Sequence, residues 1–307
     1  MFTPSIVFAL LASSATALRI PKLDHIPTKL PRAEATATAT THHLFTGTAT
    51  PISGSVVLNN PPARRDDASS SAAPVFITVS ATVPAQTLIP ADSFSSNASF
   101  SQYFANLYPW GTDLNGAARM TADQVTLADS TLTLNATPVT GQKPAEHGGS
   151  SIPINYFSGT VHAKQTFTVN KDERITYSGS FKAPVERGTW PAFWLTAVVG
   201  WPPEIDMAEW KGDGKISFNT FNTSSQVQAQ NVEYANPDEW HDIRCETKDV
   251  NGEDVEAQFF MDGSLMATQV GKGYVGKAMY LIINLQMEGS SGSPGPTGIR
   301  NVTVVKT

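Results

Sequence analysis

The sequence contains only one cysteine in 307 residues, and this scarcity limits how the fold can be stabilised. With Cys245 alone, no disulfide can form within the chain, so burial of apolar side chains must hold the core together. Cys245 lies in a strand-like run at residues 243–246, where a lone cysteine typically packs as a small hydrophobic side chain. We therefore expect a structural role for this thiol and no nucleophilic one.

Charged residues are also few. The 21 Lys and Arg and 27 Asp and Glu make up 16% of the chain and give a net charge of −6. This balance argues against a nucleic-acid partner, which would require a basic patch. Beyond the N-terminus, no segment approaches the roughly 18 to 20 apolar residues of a membrane span, and the C-terminus lacks the apolar tail of a lipid-anchor signal. The sequence predicts a soluble monomer without membrane partners.

The N-terminus resembles a secretory signal peptide over residues 1–17. Residues 5–11 form a short apolar stretch, and Ala15-Thr16-Ala17 supplies the small residues of a cleavage site, although a basic segment before the stretch is missing. N-glycosylation sequons at Asn97, Asn135, Asn222 and Asn301 are consistent with passage through a secretory pathway. These features predict a secreted, extracellular glycoprotein.

Residues 18–74 have the composition of a disordered linker or propeptide. They contain an Ala/Thr alternation at residues 35–40, several prolines and a Ser/Ala cluster, which together offer too little apolar surface for a core. The dibasic pair Arg64-Arg65 is compatible with a processing site and equally with two solvated charges in a linker. Folded structure is expected from residue 75 to residue 307.

The region from residue 75 onward is typical of an all-β protein. Short alternating or apolar runs at residues 174–184, 192–199, 215–222 and 297–306 are separated by Gly, Pro, Asn and Asp. Asn251-Gly252 and Asp262-Gly263 predict hairpin turns. A concanavalin-like jelly roll with two antiparallel sheets and a concave glycan cleft is the predicted fold. One brief helix is expected, at residues 101–106.

Three carboxylates lie close together at Glu204, Asp206 and Glu209. Strand side chains alternate between faces, so Glu204 and Asp206 share a face, and a β-bulge at Met207-Ala208 would return Glu209 to it. Three mutually repelling acids on one face of an apolar strand have little structural value. They predict a catalytic site.

The spacing suits a retaining glycosidase, in which one carboxylate attacks the sugar and another donates a proton to the leaving oxygen. Such carboxyl groups are about 5 to 5.5 Å apart, whereas the backbone separates the two glutamate Cα atoms by roughly 13 Å. The Glu204 and Glu209 side chains must therefore lean towards each other. Asp206, between them, is expected to hydrogen-bond the nucleophile, and the crowded charge to raise at least one pKa.

Aromatic residues near the acids predict a sugar-binding groove, because the apolar faces of sugar rings stack on indoles. Trp194 is expected in the core. The predicted substrate-binding residues are Trp110, Trp190, Trp201, Trp210 and Asn115.

Histidines give weaker signals. His147, His162 and His241 lack metal-ligand spacing, and no metal ligands or cofactor are predicted. His241 is expected to be structural, and His147 or His162 is a candidate sugar contact.

Several motifs together resemble glycoside hydrolase family 16, in its laminarinase-like branch with the bulged E-x-D-x-x-E motif. The resemblance covers roughly residues 90 to 307. The matching segments are residues 156–159 (YFSG), 181–184 (FKAP), 188–195 (GTWPAFWL), 201–209 (WPPEIDMAE), 239–242 (EWHD), 260–263 (FMDG) and 280–285 (YLIINL).

The resemblance implies a secreted retaining endo-β-glucanase acting on β-1,3 or mixed β-1,3/1,4 glucan. It implies Glu204 as the nucleophile, Asp206 as its helper and Glu209 as the acid/base. A structural calcium on the convex face occurs in relatives, but the sequence identifies no ligands for one. Pro203 replaces the usual Gly before the first Glu, and Ser180 stands where many relatives carry a charge, which leaves the polysaccharide open.

Two alternatives of different classes remain at this point. A cell-wall transglycosylase would use the same nucleophile but pass the glycosyl group to a sugar acceptor. A non-catalytic glycan-binding module would keep the aromatic residues but would not need the three acids. Products of a reducing-sugar assay on β-1,3-glucan, mixed-linkage glucan and galactans would separate these readings.

Overall fold

The alternating runs of the sequence form two facing antiparallel sheets in the computed structural model, which describes residues 84–289 and 296–307. The predicted signal peptide and linker, residues 1–17 and 18–74, lie outside the described residues. Within the described residues, no helix is long and apolar enough to cross a membrane.

Strands dominate the described chain. Its one α-helix is α1 (Asn97–Tyr103), and two short 3-10 helices span Ala91–Phe94 and Ala122–Gln124. The strands are β1 (Gln86–Ile89), β2 (Phe104–Asn106), β3 (Ala118–Met120), β4 (Val125–Ala128), β5 (Thr131–Leu134), β6 (Ala136–Pro138), β7 (Ala145–His147), β8 (Ser150–Ile152), β9 (Tyr156–Ser158), β10 (Thr160–Ala163), β11 (Arg174–Lys182), β12 (Thr189–Ala197), β13 (Glu204–Trp210), β14 (Lys215–Thr223), β15 (Gln226–Glu233), β16 (His241–Asp249), β17 (Val255–Met261), β18 (Ser264–Gly271), β19 (Met279–Met287) and β20 (Thr297–Lys306).

Only one of the two large sheets contains β13, the strand of the three acids. One, here called the cleft sheet, has seven strands in the order β15-β14-β13-β12-β19-β10-β2. The other, the back sheet, has the order β18-β17-β16-β11-β20-β5-β4, with β1 also paired to β20. A three-stranded sheet (β3-β9-β6) and the hairpin β7-β8 complete the described strands. This order places β13, the strand of the three acids, inside the cleft sheet with neighbours on both sides.

Aromatic side chains fill the space between the large sheets. Phe193 of the cleft sheet meets Phe181 of the back sheet with ring centroids 4.9 Å apart, and Phe218 meets Phe259 at 5.5 Å. Cys245 is fully buried in the same core, as the sequence predicted. Because these residues fix which face of the cleft sheet points inward, the opposite face is free to carry polar groups.

Both predicted hairpin turns are present. Asp262 and Gly263 have φ values of 49° and 80°, the two positive values that a type I′ turn requires, and they connect β17 to β18. The Asn251-Gly252 turn connects β16 to β17, where the Asp249 carboxylate accepts hydrogen bonds from the backbone N–H groups of both turn residues.

The predicted helix at residues 101–106 is displaced towards the N-terminus. The helix begins after Ser96, whose side chain accepts a hydrogen bond from the Ser99 backbone N–H at 3.1 Å. Residues 104–106 form β2 instead, because they pair with β10 at the edge of the cleft sheet. The prediction missed this pairing because its partner lies more than fifty residues away.

Candidate active site

The three acids share one face of β13 because the strand contains a bulge. Asp206 is opposite Asn219 of β14 and Glu209 is opposite Ser217, so three steps along β13 match two along its neighbour. The extra residue lies at Met207-Ala208, as predicted, and it restores Glu209 to the face of Glu204 and Asp206. We call this surface the cleft face.

The strand register defines the rest of the cleft face, since residues directly opposite each other project to the same side. The β12 residues beside the acids are Thr196, Trp194 and Ala192, opposite Glu204, Asp206 and Glu209 respectively. Further residues on this face are Trp190, Tyr280, Ile282, Asn284, Gln286, Thr160, His162, Ser217, Asn219, Phe221, Val227, Ala229 and Asn231.

Glu204 is held at one end of the acidic group. The Trp201 indole N–H donates to its Oε2 at 2.7 Å, and the Glu204 backbone N–H donates to the Tyr274 hydroxyl at 2.9 Å. Burial raises the pKa of Glu204 to about 7; the Trp201 hydrogen bond opposes this shift, and the negative charge of Glu209 adds to it. The Trp201 hydrogen bond therefore fixes the orientation of the Glu204 carboxyl group. Near neutral pH this group binds a proton more readily than an ordinary glutamate does.

Asp206 is the most deeply placed of the three acids, with 6% of its surface exposed. The Asn219 side-chain amide donates to its Oδ2 at 3.0 Å. Burial raises the pKa of Asp206 well above its usual range, and the charges of Glu204 and Glu209 raise it further. Asp206 therefore retains a proton at a pH where an ordinary aspartate is ionised.

Glu209 lies at the other end and receives several donors. The Trp190 indole N–H donates to its Oε1, and the Lys211 ammonium group is 3.7 Å from the same oxygen. The Asn219 amide, which also binds Asp206, donates to Glu209 Oε2 at 3.3 Å. Asn219 consequently links two of the three acids through one side chain.

Two of the predicted groove tryptophans contact the acids directly, and a third forms part of the cleft wall. Trp190 and Trp201 donate to Glu209 and Glu204 as described. Trp110 is 45% exposed, stacks on Tyr108 with centroids 5.1 Å apart, and meets the edge of Trp194 at 6.2 Å. Because Trp194 is opposite Asp206, Trp110 stands near the acids with an accessible indole surface.

Trp210 was predicted to bind substrate, and this prediction is wrong. Once the bulge has returned Glu209 to the cleft face, normal alternation points the next residue into the core. Trp210 is 3% exposed and packs on Phe181 of the back sheet at 5.8 Å. Trp194 is buried as predicted, but on the cleft face, where its indole N–H donates to Asn284 at 2.7 Å.

Asn115 is exposed beside the cleft face. Its neighbour Gly116 lies so close to Gln286 that an added Cβ would come within 2.4 Å of that side chain. This close approach brings the loop carrying Asn115 against the strand next to β12. The role of Asn115 in binding stays a prediction.

The histidines differ in their surroundings. His241 has a structural environment, with Nδ1 2.7 Å from Asp262 and Nε2 2.9 Å from the Asn236 carbonyl. His162 lies on the cleft face with Nδ1 2.7 Å from the Leu107 carbonyl. His147 is on β7, where burial lowers its pKa.

Sequence reasoning did not identify Asn219, Lys211 or Tyr274. Asn219 owes its position to the pairing of β14 with β13 and Tyr274 to a distant loop, and a single sequence carries no signal for either. Lys211 offered the best clue, since it follows the acidic motif by two residues.

The residues that the structure describes contain no group of three or more His, Cys, Asp and Glu side chains suited to a metal ion. The structural calcium implied by the family resemblance thus stays a prediction without ligands.

Solved β-glucanases share this fold. The endo-1,3-β-glucanase from Streptomyces sioyaensis has a TM-score of 0.55 at 17% sequence identity, covering 76% of this chain and 99% of that one. SCLam, a non-specific endo-β-1,3(4)-glucanase from family GH16, has a TM-score of 0.55 at 17% identity, covering 74% and 93%. The predicted jelly roll is confirmed.

Sequence comparison gives a nearer relationship, although no protein-family profile matches the chain. The galactan endo-β-1,3-galactanase of Flammulina velutipes is 51% identical over 232 residues, covering 73% of this chain and 92% of that protein. The chain belongs to glycoside hydrolase family 16. A more distant relative, the endo-1,3-1,4-β-glycanase ExsH of Rhizobium meliloti strain 1021, is 28% identical over 173 residues, covering 53% of this chain and 34% of that protein.

Family 16 membership confirms that the protein is an enzyme. The sequence predicted endo-acting hydrolysis of a β-glucan by a retaining glycosidase, and endo-acting hydrolysis of a β-glycan by a retaining glycosidase is confirmed. The alternative of a non-catalytic binding module is thereby set aside.

Proposed function

We propose that this family 16 enzyme is a secreted endo-β-1,3-galactanase, with Glu204 as nucleophile, Asp206 as its helper and Glu209 as acid/base. The observation that carries the proposal is the bulged strand β13, which presents all three acids on one face with a separate indole donor for each glutamate. The choice of galactan over the glucan expected from sequence rests on the 51% identity to the Flammulina velutipes galactanase.

In the first step, the Glu204 carboxylate attacks the anomeric carbon while Glu209 gives its proton to the departing glycosidic oxygen. The Trp201 indole fixes one Glu204 oxygen, which leaves the other free to form the bond to the sugar. Burial and the charges of Glu204 and Glu209 raise the pKa of Asp206 well above its usual range, so Asp206 binds a proton more tightly than an ordinary aspartate and the three acids need not all be ionised together.

In the second step, Glu209 takes a proton from a water molecule. The water oxygen attacks the anomeric carbon and displaces the Glu204 carboxylate, which breaks the covalent bond between Glu204 and the sugar. Two displacements at the same carbon restore its original configuration. Asn219 remains bonded to Asp206 and Glu209, so these two side chains keep their positions between the steps.

A polysaccharide panel tests the substrate assignment. Purified enzyme is incubated with β-1,3-galactan, β-1,3-glucan and mixed-linkage glucan, and reducing ends and product lengths are followed with time. We expect internal cleavage of β-1,3-galactan at a kcat/KM at least tenfold above that for either glucan. Faster cleavage of a glucan would contradict the galactan assignment, and accumulation of products longer than the starting oligosaccharide would indicate a transglycosylase.

Secretion is proposed from the signal-peptide pattern of residues 1–17 and from the fungal galactanase relative. Expression of the full chain in a fungal host should release protein into the medium with residues 1–17 removed. N-terminal sequencing checks the cleavage site, and retention inside the cell would contradict the proposal.

A further inference from the structure

Lys211 lies in a cluster of charged and aromatic groups around Glu209. Its Nζ is 3.1 Å from the centre of the Trp190 ring, 3.7 Å from Glu209 Oε1 and 3.8 Å from Glu288 Oε1. The Lys211 side chain is 32% exposed, so solvent screens these interactions only in part. The ammonium group is therefore the nearest positive charge to Glu209 in the described chain.

The donors around Glu209 are unevenly distributed between its two oxygens. Oε1 accepts the Trp190 indole N–H and faces the Lys211 ammonium, whereas Oε2 receives only the Asn219 amide at 3.3 Å. An oxygen that faces donors is a poor position for a further proton, because the proton would be directed at another N–H. Because Oε1 faces two donors among the described residues and Oε2 faces one, the proton of Glu209 is favoured on Oε2, the oxygen that shares the Asn219 amide with Asp206.

We propose that Lys211 is a positioning residue, which directs the proton of Glu209 to Oε2 and lowers the pH at which Glu209 loses that proton. The inference rests on the proposed role of Glu209 as acid/base.

The charges facing Glu209 have opposing effects. The negative charges of Glu204 and Asp206 on the same strand repel that of Glu209, whereas the Lys211 ammonium, which Glu288 also contacts, attracts it. Burial lowers the pKa of Lys211, and the surrounding carboxylates, Glu209 foremost, oppose that shift. Lys211 therefore offsets the like charges, so that Glu209 can act as acid in one step and as base in the next.

The test measures kcat/KM against pH on a β-1,3-galactan oligosaccharide, where the limb that Glu209→Ala abolishes reports loss of the proton from the acid. Lys211→Met removes the cation and should move this limb upward by about one pH unit. Glu288→Gln removes a competing anion and should move it downward by about half a unit. Lys211→Arg, which keeps the charge, should leave the limb within a few tenths of a unit of the wild-type position.

The opposite signs make the test specific, because a general loosening of the site would not move the limb in two directions. Glu288 has a side chain that is 45% exposed, so its variant should fold even if Lys211→Met does not. Shifts in the same direction, or an unchanged limb in both variants, would overturn the proposal.

Glu209→Ala separates this inference from the proposed function. If Glu209→Ala abolishes neither limb of the profile, the assignment of Glu209 fails, and the inference fails with it. If Glu209→Ala loses the limb while Lys211→Met and Glu288→Gln leave it in place, only the role of Lys211 is contradicted. Should the wild type prefer a glucan, the same profile is recorded on that substrate, and only the galactan assignment is lost.

Discussion

Folding raises the pKa values of Glu204 and Asp206. A carboxyl whose pKa is raised by folding favours the folded state below its ordinary pKa, and this contribution is lost as the pH rises through the folded value. For Glu204 that window runs from the ordinary value of 4.5 to about 7. Glu204 and Asp206 should therefore weaken the fold at neutral and higher pH.

Glu204→Gln should remove that penalty, since the amide is neutral at every pH. Its free energy of unfolding should exceed that of the wild type by about 1–3 kcal/mol at pH 8 and should show little gain below pH 4, because each pKa unit corresponds to about 1.4 kcal/mol. Urea unfolding at both pH values measures the difference. The control is Glu239→Gln at an exposed position; an equal effect there, or no gain for Glu204→Gln at pH 8, would contradict the prediction.

Substitution of Trp110 should change substrate binding, whereas substitution of Trp210 should change stability. Trp110→Ala removes an exposed stacking surface, so KM on galactan should rise about fivefold to tenfold, as expected for an aromatic contact of about 1 kcal/mol. Trp210→Ala should instead leave a core cavity and lower the free energy of unfolding by about 3–5 kcal/mol. Kinetics and urea unfolding of both variants check this, and a KM effect confined to Trp210→Ala would contradict it.

These residues also show where sequence reasoning succeeds and where it fails. The bulge at Met207-Ala208 was predictable, because only an extra residue brings Glu209 beside Asp206. Trp210 was misassigned because nearness to the acids in sequence outweighed the alternation that follows the bulge. Asn219 was missed because its contacts depend on the register of β14 against β13, which one sequence does not reveal.

At the scale of elements, long polar side chains join the edge strands of the two sheets. The Gln228 side chain of β15 donates to the Val270 carbonyl of β18 at 2.7 Å and accepts from the Val270 N–H at 3.2 Å. The Asn222 side chain of β14 also donates to the Val270 carbonyl and accepts from the Lys272 N–H. The side-chain amide of Asn222, the asparagine of a glycosylation sequon, therefore contacts the opposite sheet.

Gln228→Ala should lower the free energy of unfolding by about 1–2 kcal/mol, because it removes the side-chain acceptor of the Val270 N–H and the shorter of two hydrogen bonds to the Val270 carbonyl. Gln226→Ala, at an exposed position of the same strand, is the matched control and should change it by less than about 0.5 kcal/mol. Equal effects of the two substitutions in urea unfolding would contradict a link between the sheets through Gln228.

The element pattern was largely predictable from the sequence. The runs at residues 174–184, 215–222 and 297–306 correspond closely to β11, β14 and β20, because alternation and turn residues are local signals. The order of strands across each sheet was not predictable in detail. Pairs such as β12 with β19 join segments about ninety residues apart, and packing of whole faces selects them.

At the scale of the whole molecule, the domain boundary predicted near residue 75 is open to test. A chain that starts at residue 75 should match the full chain in kcat/KM and in free energy of unfolding. A chain that starts at residue 91 lacks β1, which pairs with β20 and buries Ile89 completely, and should be less stable by about 2–4 kcal/mol. Loss of activity on removal of residues 1–74 would contradict the boundary.

The most direct test of the central claim is chemical rescue of the two glutamate variants, with product configuration read by NMR. On an activated aryl β-galactoside substrate, Glu204→Ala should lose activity by several orders of magnitude, and azide should restore turnover to give the α-glycosyl azide. With Glu209→Ala, azide should accelerate turnover and give the β-glycosyl azide, because Glu204 still forms the covalent intermediate. Wild-type activity in Glu204→Ala, or the same azide anomer from both variants, would contradict the assignment of nucleophile and acid/base.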